Sequence, residues 1–395
     1  MNLKLKNTPE QVELIKAIGS RNQLVSTEAQ EAFAAFLGPV VQQVLLSAGT
    51  ASTIYSDVAY DEDDNPSYPL DLFYDEQEGY VSVWSQSMAG GLPSSEVTGV
   101  SELKLSTYRL DSAVSFNKRY ARRSRLDVIS KAVERLANEV LIKQERNAWA
   151  VIAKALVDGT SSQSEFQNGA NNALREADAS MGRHLFATSS GAAADFNVHL
   201  LNLMLQKHKR MNEPYAGGTP VAPYSAGLTD LYVSPEVMGD IRAWAYNPVK
   251  HDATSAMAAG GQKLPDGVRD NIWNAGGMPE IWGITLNEMM ELGLKKKYSA
   301  LVGHFGNGVS FNEVDAGGTD TFDSDSDELI IGIDRSRGAF IRPVARNADS
   351  GSTFSALPDD QWNLNRLDKA GFYGSMEEGR VCLDSRAIVG IAHTK

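Results

Sequence analysis

The chain has 395 residues, 42% of them hydrophobic and 22% charged, with a formal net charge of −13. That is the composition of a globular protein with a large core and length for two or three domains. The acidity argues against a surface built to neutralise nucleic acid, and a single cysteine, Cys382, excludes an internal disulfide framework and fits a reducing compartment.

Residues 1–7 lack the apolar core of a secretory signal. Thr8-Pro9-Glu10 predicts a short first helix ending at Gly19, and a second helical region is expected from Ser26 or Thr27 to Gly49, interrupted at Gly38-Pro39. Residues 32–56 carry no charge, but that proline break and the Gln42-Gln43 amides argue against a membrane span and for a partner-docking helix pair. Neither helix can bury its apolar face on the other alone, so the pair reads as an arm.

Residues 57–67 are acidic and turn-forming. Beyond them the pattern turns to period two, through Leu70, Leu72, Tyr74 and then Tyr80 to Trp84, past a glycine-rich tip at residues 88–99. The return run places Leu103 and Leu105 on one parity and Leu110, Val114 and Phe116 on the other, predicting a bulge or bend near Thr107. A ribbon of this kind is marginal alone. No partner within the chain is evident, so a neighbouring copy is the expected support.

Lys118, Arg119, Arg122, Arg123 and Arg125 precede the longest helix signal, residues 124–159. Leu126, Ile129, Val133, Leu136 and Val140, then Trp149, Ile152 and Leu156, give it one apolar face. Cations at a helix N-terminus oppose its dipole. A contact with acidic groups of another copy, such as Asp61, Glu62, Asp63 and Asp64, is placed ahead of a solvated turn, with phosphate binding third.

Residues 159–182 read as a polar surface excursion, about 195–212 as a helix, and 212–227 as a Pro/Gly linker. Next come a buried strand and a helix capped by Ser234 with Pro235 at its first turn. Residues 247–280 form a long loop. Strands are expected at 281–289 and 299–311, a β-hairpin from 329–333 and 339–344, and a strand, a turn at Asp384-Ser385 and a strand in the tail.

Little catalytic chemistry is visible. Neither a phosphate-cradling glycine loop nor a nucleophile elbow is present. His199 and His208 lie nine residues apart, too far to share a helical metal site. Asp323, Asp325 and Asp327 open like a calcium loop, but Glu328 stands where glycine is needed, and a solvated acidic turn is expected. Cys382 reads as a small buried hydrophobe. No cofactor or metal is expected, and no enzyme.

The order of elements, with residues 84–159, LYVSPEVMGDI, LIIGIDRSRGAFIRPV and GFYGSMEEGRVCLDSRAIVGI, resembles the major capsid protein of tailed bacteriophages, the Hong Kong 97-type fold. The resemblance implies an α+β chain with an N-arm (1–56), an extended β-hairpin E-loop over the adjacent subunit (57–117), a peripheral domain (118–227 and 325–395) with a spine helix (125–158), and an axial domain (228–324). It also implies hexamers and pentamers in an icosahedral shell around double-stranded DNA, assembled in the host cytoplasm, with a separate scaffolding protein, a portal and a decoration protein as partners. Candidate intersubunit residues are Lys118, Arg119, Arg122, Arg123, Arg125, Asp61, Glu62, Asp63, Asp64, Trp84, Leu103 and Leu105. Some members crosslink an E-loop lysine to a neighbour. Lys104, the one lysine in 57–117, lies on the return strand rather than the tip, so no covalent mesh is expected. The alternative is an encapsulin-type nanocompartment shell; a soluble enzyme or binding module is the reading from another class.

Overall fold

The structure, a computed structural model, describes residues 8–47, 49–61, 65–69, 102–123, 126–160, 184–187, 196, 198–212, 227–246, 280–305, 310–312, 319–346, 353–359, 364, 367–383 and 387–394. In chain order the first half contains α1 (Pro9–Ile18), α2 (Gln23–Ser47), β1 (Ser56–Asp61), β2 (Ser67–Pro69), β3 (Glu102–Lys104), β4 (Tyr108–Asn117), α3 (Lys118–Arg122), α4 (Leu126–Thr160), β5 (Leu185–Ala187) and α5 (Val198–Asn212). The second half contains β6 (Asp230–Val233), α6 (Pro235–Tyr246), β7 (Glu280–Ile281), β8 (Ile284–Glu288), α7 (Lys297–Phe305), β9 (Ser310–Asn312), β10 (Thr319–Thr321), β11 (Asp327–Ile333), β12 (Phe340–Arg346), β13 (Ser355–Pro358), β14 (Lys369–Glu378), β15 (Val381–Cys382) and β16 (Ile388–Thr394). The fold is mixed α+β. It divides into two compact units, residues 1–68, 103–148 and 340–381 in one, and 69–102, 149–339 and 382–395 in the other.

In the first unit, β1, β12, β14, β13, β4 and β15 form one sheet. Ten consecutive pairs join β4 to β14, from Tyr108↔Glu378 to Asn117↔Lys369. One core gathers Ile15 and Ile18 of α1, Phe33, Leu37 and Val41 of α2, and Ile129, Val133, Leu136 and Val140 of α4, against Phe116, Val344 and Phe372 of the sheet. The Phe372 ring lies 5.1 Å from Phe33 and 5.9 Å from Phe116. Burial along the helix follows the three- and four-residue steps of its apolar residues, as expected.

Several expectations need correction here. The helical pair α1–α2 packs into this core, and α2 runs unbroken across Gly38-Pro39. Proline's fixed φ suits a helix and removes one hydrogen bond, and Phe33, Leu37 and Val41 are anchored on both sides of it. The acidic segment after residue 56 begins as a strand, because β1 pairs in parallel with β12 from Ser56↔Ile341 to Asp61↔Arg346. All but one residue of β1 is exposed, so there is no apolar alternation to read. The return strand does have a partner in the chain: β14 holds all of β4, and the ladder stops at residues 105–107, where the parity changes. A pairing across some 250 residues leaves no local trace in sequence.

The second unit is built on a sheet in the order β5-β16-β11-β6-β8-β7. Leu231, Val233, Ile284, Leu286, Ile330 and Ile391 line its inner face under Leu201 and Met204 of α5 and Val237 and Ile241 of α6. Ser234 caps α6 as expected, its Oγ accepting from Val237 N at 3.2 Å. Trp149, 1% exposed, meets Tyr232 edge-on at 5.1 Å and stacks on Tyr298 at 5.4 Å.

Three strand assignments fail in this unit, the first because the single strand expected at 281–289 is the antiparallel pair β7–β8, split at residues 282–283. Residues 297–305 are helix α7 rather than strand, with Tyr298, Ser299 and Val302 buried on one helical face, and among the described residues of the expected strand 299–311 those of β9 are extended. The expected hairpin of β11 and β12 does not form either. Every residue of β11 is buried, and its two edges are taken by β16 and β6, so β12 has no free edge to join. Asp334 instead caps a tight turn, accepting from Ser336 N at 3.0 Å, and the chain enters the other sheet. The expected excursion 159–182, linker 212–227, loop 247–280, glycine-rich tip 88–99 and turn at Asp384-Ser385 lie outside the described residues, apart from their end positions.

Candidate functional site

The basic turn is built from the end of β4. Asn117 accepts from Arg119 N at 2.9 Å and so caps α3, a helix of five residues. Arg119 and Arg122 therefore stand in the last turn of α3, where the dipole favours cations. Lys118 is buried, and its Nζ donates to Ser26 Oγ at 3.1 Å. Burial lowers the pKa of that ammonium, opposed by Asp368 and assisted by Arg122. Ser26 Oγ in turn donates to Ile18 O at 2.8 Å. The Arg122 guanidinium donates to Gly19 O at 2.8 Å and forms a two-pronged pair with Asp368, 2.9 Å at the shorter contact.

This divides the sequence candidates. Lys118 and Arg122 hold the α1–α2 turn and the Asp368 bend within the unit. Arg119 and Arg123 are exposed, with the 45%-exposed Tyr120 between them. Asp61 is exposed at the end of β1, and Leu103 and Leu105 are half-buried. Arg125, Glu62, Asp63, Asp64 and Trp84 lie outside the described residues.

Sequence reasoning missed two polar clamps in the first unit. The Glu145 carboxylate of α4 accepts from Thr50 Oγ1 at 3.1 Å and from Ala51 N at 3.1 Å, holding the turn that leaves α2. One residue earlier and on a buried face, Gln144 donates to Glu378 Oε2 at 3.2 Å. Glu378 is fully buried, and it accepts from Tyr108 OH at 2.9 Å and from Arg380 at 3.3 Å. The Arg380 guanidinium lies over the Tyr55 ring at 5.0 Å, and Tyr55 OH donates to Ala148 O at 3.0 Å. Burial and then the Glu378 charge push the Tyr108 phenol up to about 12. Burial alone would lower the Arg380 guanidinium, but Glu378 and the phenols beside it outweigh this and raise it. The one signal in the sequence was Gln144, a polar residue in line with an apolar stripe.

Among the described residues no group of three His, Cys, Asp or Glu side chains is placed to hold a metal ion. The Asp323–Asp327 turn is closed on itself: Asp323 N donates to Asp327 Oδ2 at 2.9 Å and Asp325 N to Asp323 Oδ1 at 3.0 Å. Cys382 is half-buried rather than buried. No described helix is long and apolar enough to cross a membrane.

No family model and no curated protein matches the chain. Among solved structures, it is similar to the capsid of cyanophage P-SCSP1u at 12% identity, over 87% of each chain, with a TM-score of 0.48. The asymmetric unit of the bacteriophage PhiM1 mature capsid gives 10%, 88% of each chain and 0.47. The holo-SrpI encapsulin complex from Synechococcus elongatus PCC 7942 gives 11%, 87% and 88%, and 0.41. Phage capsids predominate among these similar structures.

Proposed function

We propose that the chain is a shell-forming major capsid protein of the tailed-phage type. Its copies assemble as hexamers and pentamers of an icosahedral shell that encloses double-stranded DNA. In this reading residues 1–56 are the N-arm, resting on the core of its own unit, and 57–117 the E-loop, rooted in its own sheet at both ends by β1 and β4 and reaching an adjacent copy between them; 118–227 with 325–395 are the peripheral domain and 228–324 the axial domain. A separate scaffolding protein, a portal and a decoration protein are its partners, and it has no catalytic activity.

The observation that carries this reading is helix α4. Its 35 residues span about 52 Å at the ordinary helical rise, and residues from Ile129 to Val157 are buried along that length. Residues 126–148 belong to one compact unit and 149–160 to the other. Its outer polar residues are used to hold flanking segments, as the Glu145 grip on Thr50 and Ala51 illustrates. A long continuous helix with polar residues spent on holding its own flanking segments suits the subunit of a shell.

The test is assembly of the full chain, alone and with its scaffolding partner, followed by negative-stain electron microscopy and light scattering. Closed shells of uniform diameter are expected. A species that stays monomeric or dimeric under both conditions refutes the proposal. Shells purified from the native source that hold a protein cargo and no nuclease-protected DNA would instead identify an encapsulin-type compartment.

A further inference from the structure

Strands β7 and β8 are joined by two residues, with Ile281↔Ile284 and Glu280↔Thr285 paired antiparallel. Both linking residues have left-handed backbone: φ is 54° at Trp282 and 80° at Gly283. Two positive φ values in a two-residue loop identify a type I′ turn, for which Asn-Gly or Asp-Gly is the favoured pair. A bulky residue at positive φ is an outlier that persists where something over-determines it.

Here the backbone is fixed by the strands on either side, while the side chain is largely exposed. Ile281 is 5% exposed, and Ile284 and Leu286 are 1% exposed, fixing both strands of the hairpin at the end of the sheet order. Trp282 is 55% exposed. Among the described residues nothing lies within 4 Å of a Cβ added at Gly283. The result is a largely exposed indole carried on a short turn whose backbone is fixed. An aromatic presented in that way loses little freedom on burial, which is the property of an interface anchor.

We infer that Trp282 is a contact anchor between copies of this chain, its indole buried against the adjacent copy when they associate. The choice of partner rests on the shell reading. The strained turn keeps its unfavourable residue because the indole is needed outside the unit, and asparagine would suit the fold better.

The test uses the full chain and the variants Trp282→Asn and Trp282→Phe. Trp282→Asn relieves the backbone, so the unassembled chain should melt at or above the wild-type temperature. Its critical concentration for association, measured by light scattering and sedimentation velocity, should rise at least about tenfold. Trp282→Phe, which keeps an aromatic ring, should fall between the two. Wild-type shells with Trp282→Asn assembling at the same concentration would overturn this inference and leave the shell reading standing. A marked drop in melting temperature for Trp282→Asn would also overturn it, by assigning the indole to the fold. A wild-type chain that never associates removes both readings together.

Discussion

Replacing Arg380 by methionine tests the buried clamp behind the long helix. Arg380 is 3% exposed and its partner Glu378 0%. The variant leaves a buried carboxylate with two neutral donors, Tyr108 OH and Gln144 Nε2, and no counter-ion. Removing one member of a buried ion pair costs about 3–5 kcal/mol, because the remaining charge is left desolvated and uncompensated. At about 2–4 °C per kcal/mol for a domain of this size, the melting temperature should fall by on the order of 10 °C. The double variant Glu378→Gln with Arg380→Met removes both charges while keeping an acceptor for Tyr108, and should recover most of that loss. Circular dichroism melts of the unassembled chain give the magnitudes. Hydrogen exchange should localise the loss to β4, β14 and residues 144–148 of α4. If Arg380→Met melts within a degree or two of wild type, or if the double variant is worse than either single change, Glu378 is not a desolvated anion and the clamp reasoning fails.

Gly49 has φ 109°, and a Cβ there would lie 2.0 Å from Glu145 Oε1. Gly49→Ala should therefore destabilise by about 1–3 kcal/mol from the backbone alone, and combining it with Glu145→Ala should recover only the steric share in a urea titration. Trp149→Ala empties a site walled by Tyr232 and Tyr298 and should cost about 3–5 kcal/mol in the same assay. The Tyr108 phenol is raised from 10.0 to about 12. Its folded form thus holds a proton that the unfolded form releases, so the contribution is intact below pH 10 and is lost between pH 10 and about 12; Tyr108→Phe should lose less stability across that window. Reversal of Arg119 and Arg123 together should leave the stability of the unassembled chain unchanged within about 0.5 kcal/mol, as for surface positions generally, while shell yield falls if these exposed cations meet a neighbouring copy.

The long helix was legible because its signal is local: apolar residues at three- and four-residue steps from Ile129 to Leu156 are the residues found buried. Strand β6 with its Ser234 cap was legible for the same reason. What the sequence concealed was pairing. Strands β11 and β12 are separated by a turn of ordinary hairpin length, yet they enter different sheets because β11 is flanked by β16 and β6. Strand β1 is an exposed edge held by backbone bonds to β12, so composition made it look like a turn. The clamps at Glu145 and Glu378 depend on residues more than 90 positions apart meeting, which no spacing rule encodes.

The basic run shows how one missed short helix reverses an electrostatic argument. Read as a turn leading into the N-terminus of the long helix, five cations oppose its dipole and ask for an external anion. The structure places a separate five-residue helix before α4, so Arg119 and Arg122 sit at a helix end that prefers positive charge. Arg122 then turns inward to Gly19 O and Asp368, and Lys118 to Ser26, stapling the α1–α2 turn to the core. The pair with Asp368 is partly exposed, 38% and 49% on the two side chains, so its Coulomb share is below about 1 kcal/mol. Its larger effect is geometric: it fixes the face on which Arg119, Tyr120 and Arg123 are displayed. Arg122→Ala should therefore cost little in melting temperature. It should still lower shell yield, because the exposed cations lose their fixed orientation. Equal assembly by Arg122→Ala and wild type would show that this face is not used between copies.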